Sequence, residues 1–154
     1  MSDSVTIRIT QQKDYQFVVD FGGGLTPFVA DQSAPLGTEQ GPDPEQLLLA
    51  AVANCLAASL LFALRKFKQD PGTISATLTC AVGRNEKNRL RVQSIDATIE
   101  LGKPGADLEH LDRVLGQFEE FCTVSQSVQA GIPVHVHVKD STGVVLKQAH
   151  PEPR

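Results

Sequence analysis

An α+β fold is predicted, and three features of the sequence predict it. The N-terminal third alternates apolar and polar residues at the period of a strand. A long uncharged stretch, Leu47 to Leu64, follows a strong helix-start signal. A second alternating stretch, Ile74 to Leu101, then leads through helical spacing to a closing Val134-Val136-Val138 pattern. Both alternating stretches read as hairpins, so their strands are expected to run antiparallel.

The bulk numbers fit this. Of 154 residues, 41% are hydrophobic and 21% charged, as in a globular domain. A single domain over residues 1–140 is expected, with a tail over 141–154. The net charge of −4 gives no reason to expect a nucleic-acid partner. The cluster Arg84, Lys87, Arg89 and Arg91 is broken by Glu86 and reads as a solvated hairpin tip. Three cysteines, Cys55, Cys80 and Cys122, do not describe a secreted disulfide scaffold. Met1-Ser-Asp-Ser lacks a basic segment leading into an apolar one, so no signal peptide is expected and the cytoplasm is the expected compartment.

In chain order, Val5, Ile7 and Ile9 alternate with polar residues, giving a half-buried strand. Gln11 to Asp14 is a polar turn, and Tyr15, Phe17, Val19 and Phe21 form the returning strand of a hairpin. Gly22-Gly-Gly24 is a turn: no helix opens after it, as a phosphate cradle would require. A short extended piece follows near Phe28 to Ala30, then a loop from Ser33 to Gly41.

Asp43 suits an N-cap, Pro44 the first helical position, and Gln46 completes a capping box. The helix runs to about Lys68 and stops at Pro71-Gly72. Its 18 uncharged residues are long enough to consider for a membrane span. Six of them are alanine, Glu45 and Arg65 stand at the ends, and no aromatic belt flanks them, so no membrane is expected. A helix apolar all round needs cover on every side, and a second subunit is expected to supply it.

In the long hairpin, Ile74, Ala76, Leu78, Cys80 and Val82 share one face. The apolar parity of the returning strand changes between Val92 and Ile95, which predicts a β-bulge at Gln93-Ser94. Asp107 to Phe121 has the spacing of an amphipathic helix. Cys122-Thr-Val-Ser125 opens a short helix ending at Gly131, with a final strand after it. Residues 150–154 are expected to be disordered.

The stretch from Gly41-Pro-Asp-Pro-Glu to Cys55 resembles the central-helix signature of the OsmC/Ohr family, Pro-Glu-x-Leu-Leu-x-Ala followed by a reactive cysteine. Cys122-Thr-Val-Ser125, 67 residues on, is similar to that family's Cys-Pro-x-Ser. The resemblance implies an intertwined homodimer whose antiparallel sheets wrap two central helices, and a thiol-dependent peroxidase acting best on organic hydroperoxides. It implies Cys55 as the peroxidatic thiol, Cys122 as the resolving one, an external dithiol as reductant, and no metal or organic cofactor.

The family's arginine, which activates the first thiol and is held by the Pro-Glu glutamate, has no counterpart: between Arg8 and Arg65 there is no arginine. Glu45 matches that glutamate, and equally suits a first-turn carboxylate favoured by the helix dipole. Glu45 and Cys55 are separated by about 15 Å of helical rise. Either the helix is interrupted or the pocket around Cys55 takes residues from a partner chain, and the second is favoured.

The dipole at a helix N-terminus should favour a thiolate at Cys122, whereas apolar surroundings should raise the Cys55 pKa. Cys80 reads as a core hydrophobe. His110 reads as solvent-facing, Ser125 as a possible cap, and His135 with His137 as a strand pair lacking a third metal ligand. The rival reading is a non-catalytic small-molecule binder or thiol redox sensor on the same scaffold.

Overall fold

The computed structural model describes residues 3–149, so the expectation for residues 150–154 lies outside the described residues. Two compact units divide between Leu48 and Leu49.

The first unit holds a three-stranded antiparallel sheet, β1 (Arg8–Lys13), β2 (Gln16–Asp20) and β3 (Phe28–Ala30), in the order β1-β2-β3. The polar turn is tighter than expected: β1 runs through Gln11 to Lys13, and Asp14 takes the left-handed conformation at φ 52°. The Gly22–Gly24 turn is confirmed, with φ between 61° and 78° at all three glycines. The expected half-buried face of the first strand is corrected: β1 is exposed throughout, Ile9 to 54%. It is an edge strand, and half-burial requires a layer on its apolar side.

Beyond β3, the buried carboxylate of Asp31 organises the loop. It accepts the N–H groups of Gln32, Thr38 and Gln40 and the Thr38 hydroxyl. Burial opposes ionisation there, but these four bonds outweigh it and hold the carboxyl below its ordinary range. Gly41 is fixed by space, since a Cβ there would meet the Val29 carbonyl. The capping box forms as read: Asp43 N–H donates to Gln46 Oε1 at 3.0 Å, and Gln46 N–H to Asp43 Oδ1 at 2.8 Å.

Helix α1 (Pro44–Lys66) starts at that box. Its 23 residues include an 18-residue window with a mean hydropathy of 2.4, long and apolar enough to cross a membrane by length and composition. Its buried residues, Val52, Leu56, Ser59, Leu60, Ala63 and Leu64, recur at helical spacing and define one face. Ala51, Asn54, Ala58 and Phe62 mark the exposed face.

The helix ends in a Schellman motif. Gln69 N–H reaches the Leu64 carbonyl, Lys68 N–H reaches that of Arg65, and Lys68 is left-handed at φ 57°. Lysine carries a steric penalty in that conformation that glycine does not. Lys68→Gly is therefore expected to stabilise the fold by about 0.5–1 kcal/mol, measured by urea unfolding.

The second unit's sheet, β4 (Ser75–Arg84), β5 (Leu90–Glu100), β6 (Val134–Lys139) and β7 (Val145–Lys147), has the order β4-β5-β6-β7. The predicted bulge is present: Ala81 pairs with Ser94 and Val82 with Val92, leaving Gln93 as the extra residue. One pair departs from the antiparallel pattern, since β5 and β6 run parallel from Ile95↔Val134 to Glu100↔Lys139. β7, within the segment read as a tail, pairs antiparallel with β6. Ile95, Ala97 and Ile99 pair with Val134, Val136 and Val138, and these six side chains are the sheet's buried contribution to the core.

The helix expected over 107–121 is shorter. Only Leu111–Gln117 is α-helical (α2), and Phe118–Phe121 tightens into a 3₁₀ turn. His110, left-handed at φ 62°, precedes α2 and so prevents an earlier start; it is exposed and stacks on Phe67 at 5.0 Å. Val114, Leu115 and Phe118 are buried as the spacing predicts, but Phe121 is 53% exposed because the 3₁₀ turn breaks the 3.6 period.

Candidate thiol site

Cys55 lies on α1 and Cys122 at the N-cap of α3 (Thr123–Gln129). Folding brings the two together: the Cys122 thiol, the Ser59 hydroxyl and the N–H groups of Val124 and Ser125 lie close enough to the Cys55 sulfur to shift its pKa. Each group has a local reason to be there. Ser59 is one helical turn beyond Cys55, on the same face. Val124 and Ser125 belong to the first turn of α3, whose N–H groups have no partner within their own helix. Cys122 caps that turn, its Sγ accepting the Ser125 N–H at 3.4 Å.

The electrostatics reverse the expectation from sequence. Burial by itself pushes the Cys55 thiol up. The Cys122 thiol, the Val124 N–H, the Ser59 hydroxyl and the Ser125 N–H outweigh it, so Cys55 titrates below the ordinary thiol value. Cys122 is pushed up, first by burial and then by donating to Cys55, against the Ser125 hydroxyl and N–H. The α3 terminus does favour a thiolate, but the thiolate it favours is on the neighbouring helix. Accessibility divides the pair the same way: Cys55 is half-buried, whereas Cys122 is 0% exposed.

Glu45 is half-buried in the first turn of α1, and among the described residues it forms no ion pair. The helix is unbroken from Pro44 to Lys66, so it cannot by itself bring Glu45 to Cys55. Cys80 is half-buried rather than sealed in the core, and pairs across the sheet with Ile95. Ser125 is buried at the third helical position while Cys122 caps, which corrects its expected role. His137 Nδ1 accepts the Ala149 N–H at 3.3 Å, holding the chain beyond β7. A cleft of about 770 Å³ walled by Leu115, Glu119, His135 and Lys147 lies elsewhere, and neither thiol lines it.

The sequence reading missed Ser59 and the two α3 N–H donors. Ser59 was recoverable, since four residues along a helix is a neighbouring position. The backbone donors were not, because they depend on how the Cys122 turn meets α1.

Two sheets and a long apolar helix define a mixed α+β protein, in which two cysteines adjoin with opposite pKa shifts. The family model described as OsmC-like protein matches residues 37–137, and the chain belongs to that family. It is 27% identical to Peroxiredoxin OsmC of Escherichia coli (strain K12) over 101 residues, 66% of this chain and 70% of that protein.

Among solved structures, an OsmC-like protein from Mycoplasma pneumoniae superposes with a TM-score of 0.75 at 14% identity, covering 91% of this chain and 99% of that one. An organic hydroperoxide resistance protein from Elizabethkingia anophelis, with crystallant-derived thiocyanate bound, gives 0.72 at 20% identity, covering 92% and 100%. These likenesses establish a shared fold.

Proposed function

We propose that the chain reduces organic hydroperoxides through Cys55 and Cys122, in defence against oxidative stress. The observation that carries this reading is the placement of a half-buried Cys55, its pKa lowered by its neighbours, against a buried Cys122 whose pKa is raised. The Cys55 thiolate attacks the distal peroxide oxygen. The O–O bond breaks, an S–O bond forms, and the alkoxide takes a proton to leave as alcohol, with Cys55 as sulfenic acid. The Cys122 sulfur then attacks the sulfenic sulfur, forming the disulfide and releasing water. An external dithiol reduces the disulfide and is itself oxidised, which places the cycle in a reducing compartment such as the cytoplasm.

The donors around Cys55 take over the task for which the sequence offers no arginine. A thiolate needs hydrogen bonds or a cation, and Ser59 with two backbone N–H groups supplies the former. A homodimer is part of the proposal, supported by the exposed second face of α1, where Phe62 is 61% exposed. Within such an assembly Glu45 would act across the interface, on the partner's site.

The test is intact mass after stoichiometric cumene hydroperoxide. A Cys55–Cys122 disulfide lowers the mass by about 2 Da per chain, and Cys122→Ser is expected to hold an adduct of about 16 Da at Cys55. No change in either protein removes the catalytic reading. A binder or sensor on the same scaffold, favoured by the absent arginine, would react once and not turn over with excess dithiol.

A further inference from the structure

We propose that Lys147 is a positioning residue for the disulfide-forming half of the cycle, acting through Glu119 on Cys122. The proposal rests on the two-thiol reading above.

Lys147 lies on β7 and makes three contacts with the segment just before Cys122. Its Nζ donates to the Leu115 carbonyl at 2.7 Å, near the end of α2. It forms an ion pair with the Glu119 carboxylate in the 3₁₀ turn. It stands 5.2 Å from the centre of the buried Phe118 ring. Both side chains of the ion pair are only 25% exposed, so water screens the pair less than it would on an open surface.

Glu119 passes this hold to the thiol. Its carbonyl accepts the Cys122 N–H at 3.1 Å and the Gln126 side-chain amide at 3.1 Å. One residue is thus tied by its carboxylate to β7 and by its backbone to both the Cys122 turn and α3. The 3₁₀ turn itself is only four residues long. A single turn of this kind has poor internal hydrogen bonding, so external ties fix its shape.

The chemistry makes that shape matter in one step and not in the other. Attack on peroxide needs Cys55, its donors and a path for the substrate. Condensation needs the Cys122 sulfur aligned with the sulfenic sulfur while the S–O bond breaks and hydroxide leaves with the Cys122 proton as water. Small displacements of one reacting group cost about 10–100-fold in such intramolecular steps. Loosening the brace should therefore slow the second step and spare the first.

Rapid mixing of the reduced, full-length protein with cumene hydroperoxide separates the two, with sulfenic acid and disulfide followed by quenched intact mass. In Lys147→Met, sulfenic acid should form at the wild-type rate while disulfide formation slows at least about tenfold. The waiting sulfenic acid should then go on to sulfinic acid at higher peroxide. Lys147→Arg should restore the disulfide rate. Glu119→Gln, which keeps the backbone carbonyl and removes the ion pair, should repeat the defect, and it carries the comparison if Lys147→Met does not fold.

Disulfide formation at the wild-type rate in the folded variants overturns the proposal, as does equal slowing of both steps. A wild-type protein that forms no sulfenic acid overturns the two-thiol reading instead.

Discussion

Cys55→Ser is expected to lower peroxide consumption at least about 10³-fold, to the background of the uncatalysed reaction, while leaving the fold intact. Serine preserves the size of the side chain and its place on α1, but its hydroxyl stays protonated where a thiol ionises. A coupled dithiol assay with cumene hydroperoxide measures the loss. Retained turnover would move the chemistry away from this site.

The pH dependence of the wild-type protein carries the same claim. Because the Cys55 pKa is lowered, its thiolate fraction and its alkylation rate should reach a plateau at lower pH than an ordinary thiol. As pH falls through the folded pKa the thiolate protonates and the rate declines. Removing a donor with Ser59→Ala should shift that profile to higher pH.

Phe118→Ala is expected to give the largest loss of stability, about 3–5 kcal/mol. Phe118 is 0% exposed, and its ring also faces the Lys147 ammonium. Truncation removes a large buried apolar surface and leaves a cavity that its neighbours in the turn cannot fill. Against a typical stability of about 5–15 kcal/mol, this is a large share. Urea unfolding should show a lower midpoint with an unchanged slope, and a cost under about 1 kcal/mol would mean that the turn collapses onto the gap.

How far the sequence disclosed the molecule depends on how local the determining interactions are. The capping box needs only Asp43 and Gln46, three residues apart, and it was legible. So was the bulge at Gln93, because a strand's period of two makes one extra residue visible as a change of parity. The end of the helix expected over 107–121 was not, because the apolar spacing continues through a segment that the left-handed His110 and the 3₁₀ turn have already broken. β7 was hidden by its length: three residues show little alternation, and their place is set by pairing with β6.

The candidate site divides along the same line. Cys55 and Cys122 were found from motifs. Their relative acidity was misjudged, because each was weighed on its own helix. The N–H groups of one helix act on the sulfur of another, and only the tertiary arrangement reveals which sulfur they face.

The parallel pairing of β5 and β6 has a consequence for a chain emerging from the ribosome. Strands that run the same way must be joined by a crossover, and here everything between Leu101 and Pro133 is that crossover. Cys122 rides on it, so until Val134 to Lys139 has been synthesised and has zipped against its neighbour, nothing tethers the far end. The two sulfurs are therefore held together only after that later strand has emerged and paired.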